Sequence, residues 1–136
     1  MFAVRDAKYH YLLWRPVTTI RAGTPGNSLV TPADFTWNPL VVTAADPSYP
    51  AAHSTISEAA ATVLTAFFGK AVHLTVTSDA LAGVSRSFDN FQSAADEAAL
   101  SRIYAGQHTS IDLKAGTALG RHVAEFVLEQ PFGVGA

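Results

Sequence analysis

Three short stretches hold the residues whose types and spacing could do chemistry: "KYHYLLWRP", "YPAAHS" and "SRIYAGQHTSID". In the first, Lys8 and Arg15 are seven apart, about two helical turns. On one continuous helix both cations would project from nearly the same face, roughly 10 Å apart along the axis. Such a pair can grip one oxyanion from two sides, or it can be two solvated surface charges. The apolar Tyr9, Tyr11, Leu12, Leu13 and Trp14 between them argue against a freely exposed helix. In the second stretch, Pro50 biases Tyr49 toward an extended conformation. The free N–H groups at the start of the following helix then make an anion site near His53. A histidine there can give a proton to a leaving oxygen or take one from a nucleophile. A histidine that merely begins a helix is the plainer alternative.

The third stretch also has two readings. His108 and Asp112 are four apart, so the carboxylate can hold one imidazole nitrogen and leave the other as a nucleophile or as a ligand to an electrophilic centre. Asp112 equally suits the positive end of a helix capped by Thr109. Arg102 precedes His108 by six residues, which puts them about 120° apart around an unbroken helix. Gly106 offers the break that would let them converge. His10, His73 and His122 have no comparable partners, and His122 is expected on the apolar face of the last helix.

The elements that must position these groups are mainly helical. Residues 2 to 15 read as a helix ended by Pro16. Residues 16 to 52 hold six of the seven prolines, with Gly23, Gly26, Asn27 and Asn38, and read as a long irregular segment in which "PLVVTA" could be extended. Ile56, Ala60, Val63, Leu64 and Phe67 form an amphipathic stripe. Thr55 and Glu58 have capping-box spacing, which starts that helix near Ser54 or Thr55, and Gly69 stops it. "AVHLTVTSD" alternates as a short strand does. Helices follow over residues 87 to 105, with Phe88, Phe91, Ala95, Ala98 and Ala99 to pack, and over about 109 to 129. The second turns Ile111, Ala115, Ala118, Leu119, His122, Val123 and Phe126 inward, and "PFGVGA" ends it. The predicted fold is all-α: an alanine-rich bundle with one small hairpin, its small side chains letting helices approach closely.

Bulk composition narrows the rest. A chain of 136 residues suits a single domain, and 49% apolar with 15% charged residues is a globular balance. A net charge of −2 and a pI near 6.2 give no support for nucleic-acid binding. No apolar run approaches the roughly 18 residues of a transmembrane segment, and "MFAVRDAKYH" lacks a signal peptide's apolar core, so the chain reads as soluble. With no cysteine, disulfides and thiolate chemistry are excluded while the compartment stays open. The single methionine is Met1, and a chain without internal thioethers tolerates peroxide.

In order, the three stretches read Lys-x6-Arg-Pro, Pro-x-x-His and Ser-Arg-x5-His-x3-Asp. This resembles the three-part signature of the superfamily that unites vanadium-dependent haloperoxidases with type 2 phosphatidic acid phosphatases and bacterial acid phosphatases. The resemblance spans Lys8 to Asp112. It implies a helical bundle in which Lys8, Arg15 and Arg102 surround phosphate or vanadate oxygens. His108 would be the single protein ligand to vanadium in a haloperoxidase, or the phosphorylated nucleophile in a phosphatase. Asp112 would orient His108, and His53 would serve as acid–base. The partners implied are hydrogen peroxide and halide in the first case, and a phosphate ester with no cofactor in the second.

The chain departs from that pattern in the second block, where Ala51 and Ala52 replace a serine and a glycine. The Ala52 amide can still bond an oxygen, but the serine hydroxyl is lost. Two features lean toward the haloperoxidase branch, of which vanadate is the cofactor: the aromatic-rich first block with Trp14 before Arg15-Pro16, and the long segment before "DPSYPAAHS". Asp46 falls where haloperoxidases place a residue thought to tune halide preference, and an aspartate there would repel a halide. Phosphate-ester hydrolysis and a non-catalytic phosphate-binding remnant therefore stay as alternatives. Haloperoxidases of this family carry a long helical region before the first block. Residues 1–136 are expected to be one helical domain, the C-terminal catalytic part of a longer architecture: a fragment, a degenerate short homologue, or a bundle completed by pairing with a second copy. Members of the family are often exported, which leaves the localisation open.

Overall fold

The computed structural model describes residues 2–23 and 32–130; Gly26, Asn27 and the terminal "PFGVGA" lie outside them. Among the described residues five α-helices and one hairpin follow in the order α1 Phe2–Tyr11, α2 Pro16–Ala22, α3 Ala52–Phe68, β1 Leu74–Thr77, β2 Ser85–Phe88, α4 Phe91–Tyr104 and α5 Ser110–Glu129, with a 3-10 turn at Asp79–Leu81 between the strands. The strands pair antiparallel from Leu74 opposite Phe88 to Thr77 opposite Ser85. The mostly helical fold with a single hairpin is thus the expected one. Helix α3 packs along α5 and α4.

The first segment differs from expectation. Residues 2 to 15 are not one helix: α1 stops at Tyr11, and Leu12 turns the chain at a φ of 52°, which L-residues seldom adopt. Pro16 starts a helix rather than ending one. It occupies the first helical position, where the missing N–H has no intrahelical partner to lose and the fixed φ is already helical. Lys8 and Arg15 therefore sit on separate elements, Lys8 in the last turn of α1 and Arg15 as the residue that precedes α2. Residues 39 to 44 form no strand.

The start of α3 is also earlier than the Thr55–Glu58 pattern suggests. The helix begins at Ala52, and Ala51 offers no side-chain cap. Instead the Ala51 N–H donates to the Asp112 carbonyl at 3.0 Å, tying the start of α3 to the start of α5. The Thr55 hydroxyl is spent on the Ala51 carbonyl at 3.0 Å, so it cannot cap. Gly69, with a φ of 88°, ends α3 as expected. Helix α4 begins at Phe91 rather than residue 87, because residues 85 to 88 pair in the hairpin and Asn90 caps the helix through the Ser93 N–H.

The largest correction concerns which helix faces are inside. On α3 the buried residues are Ser54, Thr55, Glu58 and Ala61, and on α5 they are Asp112, Gly116, Gly120 and Ala124. The predicted stripes are only partly covered: Val63, Ala115, Leu119 and Val123 are half-buried, but Ile56 and Phe67 are 46% and 73% exposed, and Ile111 and Phe126 are 67% and 62% exposed. His122 is exposed as well. The reason is close backbone approach. A Cβ on Gly120 would stand 2.2 Å from the Thr55 carbonyl oxygen, and one on Gly116 would stand 2.5 Å from that of Ala51. Only hydrogen fits there, so the α3–α5 seam must present its glycines, and the larger apolar residues turn away. Buried Glu58 then ties three helices, accepting from Arg121 Nε at 2.9 Å and Nη2 at 2.7 Å on α5, and from Gln92 Nε2 at 2.7 Å on α4.

Candidate active site

The polar interior gathers at the end of the bundle where α1, α3 and α5 meet the irregular segment 32–51. Buried polar residues there include Lys8, Arg15, Ser48, Gln107, His108 and Asp112. A turn at the end of α4 brings the third stretch into place. Gly106 takes a φ of 71°, its N–H bonds the Ile103 carbonyl at 2.9 Å, and the Gln107 N–H bonds the Arg102 carbonyl at 3.0 Å. This paired closure is a Schellman motif and requires the left-handed conformation glycine tolerates. The chain therefore reverses between Arg102 and His108 instead of continuing a helix.

Both readings of Asp112 hold at once, because its one carboxylate does both jobs. Asp112 Oδ2 accepts from the Thr109 N–H at 2.8 Å while the Thr109 hydroxyl accepts from the Asp112 N–H, a capping box for α5. The same oxygen accepts from Ser48 Oγ at 2.7 Å and lies 3.5 Å from His108 Nδ1. Burial alone would raise the carboxyl pKa, but the bonds from His108, the Thr109 amide and Ser48 outweigh it and bring it to about 2. Asp112 is therefore an anion at every ordinary pH.

The tautomer of His108 follows from its neighbours. Arg15 Nη1 lies 3.1 Å from His108 Nε2, and a guanidinium can only donate, so Nε2 carries the lone pair. The proton then sits on Nδ1, facing Ser48 Oγ at 3.3 Å and Asp112 Oδ2. Burial lowers the imidazole pKa, Asp112 opposes that, and Arg15 and Lys8 lower it further. A neutral ring presenting a lone pair at Nε2 can attack an electrophile or ligate one.

The cations converge on the same place. Lys8 is 1% exposed, an unusual burial for a lysine, and desolvation lowers its pKa while Asp46 partly restores it. Its Nζ donates to the Pro47 carbonyl and to the Ser48 carbonyl at 3.3 Å, and stands 3.3 Å from Asp46 Oδ2. Arg15 donates from Nε to the Asp46 carbonyl at 2.9 Å, from Nη2 to Asp46 Oδ1 at 2.6 Å and from Nη1 to the Gln107 carbonyl at 3.0 Å. Arg102 stands within electrostatic reach of Arg15, and its Nε is buried without a hydrogen-bond partner among the described residues. His53, in the first turn of α3, keeps contact with solvent. Partial desolvation, then the charges of Arg102, His108, Arg15 and Lys8, lower its pKa and keep it neutral at pH 7. Ala52 is the first residue of the same helix, where amides lack intrahelical partners.

Two residues of this arrangement are absent from the sequence reading. Ser48 links His108 to Asp112 from "DPSYP", and nothing in its spacing marks it. Gln107 braces the irregular segment: its Oε1 accepts from the Ala44 N–H at 3.2 Å and its Nε2 donates to the Val41 carbonyl at 3.0 Å. Its only signal is its place beside His108. Asp46 was legible as a charge near the site, but not as the partner of Lys8 and Arg15.

Among the described residues no group of three or more His, Asp or Glu side chains could hold a metal ion. Lys8 and Arg15 beside one imidazole lone pair, with Arg102 near Arg15, suit an oxyanion better than a bare divalent ion, and the buried Arg102 Nε, unpartnered among the described residues, is a donor of the kind an oxyanion oxygen satisfies.

The model of the VCPO second helical-bundle domain matches residues 1–131. The chain belongs to that family. The vanadium-haloperoxidase superfamily is also where its solved neighbours lie. The crystal structure of the first bacterial vanadium-dependent iodoperoxidase shares 36% identity over 90% of this chain and 28% of its own, with a TM-score of 0.79. A holo-type bacterial vanadium-dependent chloroperoxidase has the same fold, at 18% identity and a TM-score of 0.67, over 93% of this chain and 34% of its own. The haloperoxidase-type domain thus spans about a third or less of the solved chains it matches. The comparison with curated proteins found no match. None of the described helices is long and apolar enough to cross a membrane.

Proposed function

We propose that this chain forms the catalytic centre of a vanadium-dependent haloperoxidase, which oxidises halide with hydrogen peroxide. The observation that carries the reading is the fixed tautomer of His108, its Nε2 lone pair facing Arg15 with Lys8 nearby. Family membership and the 36% identity to a bacterial iodoperoxidase support it. Vanadate would be held by His108 Nε2 as metal ligand, with Lys8, Arg15, Arg102 and the Ala52 amide on its oxygens. When bound it supplies Lewis acidity, which makes hydrogen peroxide electrophilic toward halide.

The chain's own residues would do the remaining work. Fixed cations in a partly dry pocket balance oxyanion charge better than water does, because they need no reorganisation. Asp112 and Ser48 keep the Nδ1 proton in place, so the Nε2 lone pair, which now accepts from Arg15 Nη1, is free to bind once that donor turns to an incoming oxyanion. His53, neutral at pH 7, would take the proton of incoming peroxide and return it to the leaving oxygen. We also propose that residues 1–136 act as one catalytic domain of a longer architecture. The exposed apolar side chains of α3 and α5 support this, since a second copy or further helices would cover them.

The test is to dialyse the chain with and without orthovanadate, then assay peroxide-dependent bromination and iodination of a phenol dye beside hydrolysis of p-nitrophenyl phosphate. Halogenation that requires vanadate and is lost in His108→Ala is the expected result. Hydrolysis inhibited by vanadate would instead make His108 a phosphorylated nucleophile. Oxyanion binding with neither activity would make the chain a non-catalytic remnant. Vanadate binding unchanged in His108→Ala would overturn the site altogether.

A further inference from the structure

Lys8 and Arg15 are already occupied by the protein itself. An ammonium has three hydrogens, and Lys8 Nζ faces three acceptors: the carbonyls of Pro47 and Ser48, and Asp46 Oδ2. A guanidinium has five, and four of those on Arg15 face Asp46 O, Asp46 Oδ1, Gln107 O and His108 Nε2. One carboxylate thus spans both cations, an oxygen on each. Arg102 is different, with a buried Nε that no described residue satisfies.

We propose that the Asp46 carboxylate is an internal occupant of the oxyanion cradle, and that a tetrahedral oxyanion binds by displacing it. This rests on the preceding reading of Lys8, Arg15 and Arg102 as oxyanion donors. Two oxygens bridging two cations are what one edge of vanadate or phosphate would present. The main-chain carbonyls of residues 46 to 48 and Gln107 hold both cations in position whether or not the carboxylate is there. The Asp46 side chain is 36% exposed, so it has a path to solvent, whereas the cations it bridges are nearly sealed. Leaving would free one hydrogen on Lys8 and one on Arg15, and would restore the positive charge that Asp46 cancels. The carboxylate thereby sets the threshold concentration at which the site fills. The buried Arg102 Nε, unpartnered among the described residues, adds a donor that the bound anion takes without competition.

Orthovanadate and, separately, inorganic phosphate are titrated into the wild-type chain, Asp46→Asn and Asp46→Ala by calorimetry, with melting curves confirming that each variant folds. Asn keeps the size and one acceptor but not the charge, so it remains informative if the alanine variant is unstable. The expected result is at least tenfold tighter binding of both anions to the variants. Equal or weaker binding to Asp46→Asn, with measurable wild-type binding, would overturn the displacement while leaving the oxyanion site intact. No binding to any of the three proteins would overturn the oxyanion site and this inference together.

Discussion

Two of the arginine–carboxylate pairs among the described residues differ in how deeply the arginine is buried. At the hairpin, Arg86 Nε donates to Glu97 Oε1 at 2.8 Å and Nη2 to Oε2, a two-pronged pair with side chains 59% and 42% exposed. At the site, Arg15 meets Asp46 with its own side chain 8% exposed, beside a second buried cation and a buried histidine. Hydrogen-bond geometry alone would rank the hairpin pair higher. Burial of the guanidinium reverses the ranking, because water replaces what Arg86 loses and cannot reach the Arg15 guanidinium, although both carboxylates are partly exposed. Backbone packing shows the same division. Gly120 admits only hydrogen, while a Cβ on Gly83 in the hairpin turn would meet nothing within 4 Å.

Replacing Arg15 should therefore have the largest effect. Arg15→Ala strands the Gln107 carbonyl and Asp46 and is expected to cost about 4 kcal/mol in urea unfolding. A loss below about 1 kcal/mol would mean that water reaches the site and that the two pairs are alike. Next is the seam: Gly120→Ala should cost about 3 kcal/mol, through a Cβ driven against the Thr55 carbonyl. Gly83→Ala, strained only by its φ of 80°, should cost about 1 kcal/mol. Equal melting shifts for the two glycines would refute the close approach of α3 and α5.

Asp112→Asn comes third and adds a pH signature. Its carboxyl falls from 3.8 to about 2 on folding, so the charged form stabilises the fold fully above pH 4. That contribution, roughly 2 kcal/mol, fades as pH drops from about 4 to about 2. The stability gap between wild type and variant should narrow over that window in pH-resolved denaturation, and a gap independent of pH would count against the role of charge. His108 and His53 act in the same direction at higher pH. Each has a lowered pKa in the fold, so the unfolded chain binds more protons and stability declines as pH falls below about 6.5. The smallest effect belongs to Arg86→Ala, expected within about 0.5 kcal/mol and erased by added salt.

Local chemistry in the sequence was enough for several features. Gly106 and Gly69 ended their helices where expected, Thr109 and Asp112 capped α5, and alternation at Leu74 to Val76 made a strand. These depend on a few adjacent residues, so spacing carries them. The three motif blocks likewise marked the family before any coordinates, since residue type and spacing are all that such a signature contains. What tertiary structure alone decided was orientation. Apolar periodicity would turn Ile56, Phe67, Ile111 and Phe126 inward, yet the closest approach of α3 and α5 is through Gly116 and Gly120, and a helix has only one rotation to give. Pro16 stops a helix or starts one according to where the preceding chain turns, and that turn lies at Leu12. The bridging of Lys8 and Arg15 by Asp46 joins residues 38 and 31 apart in sequence. No local spacing encodes such a contact; it exists because the packing around them leaves the Lys8 and Arg15 cations almost no water to turn to.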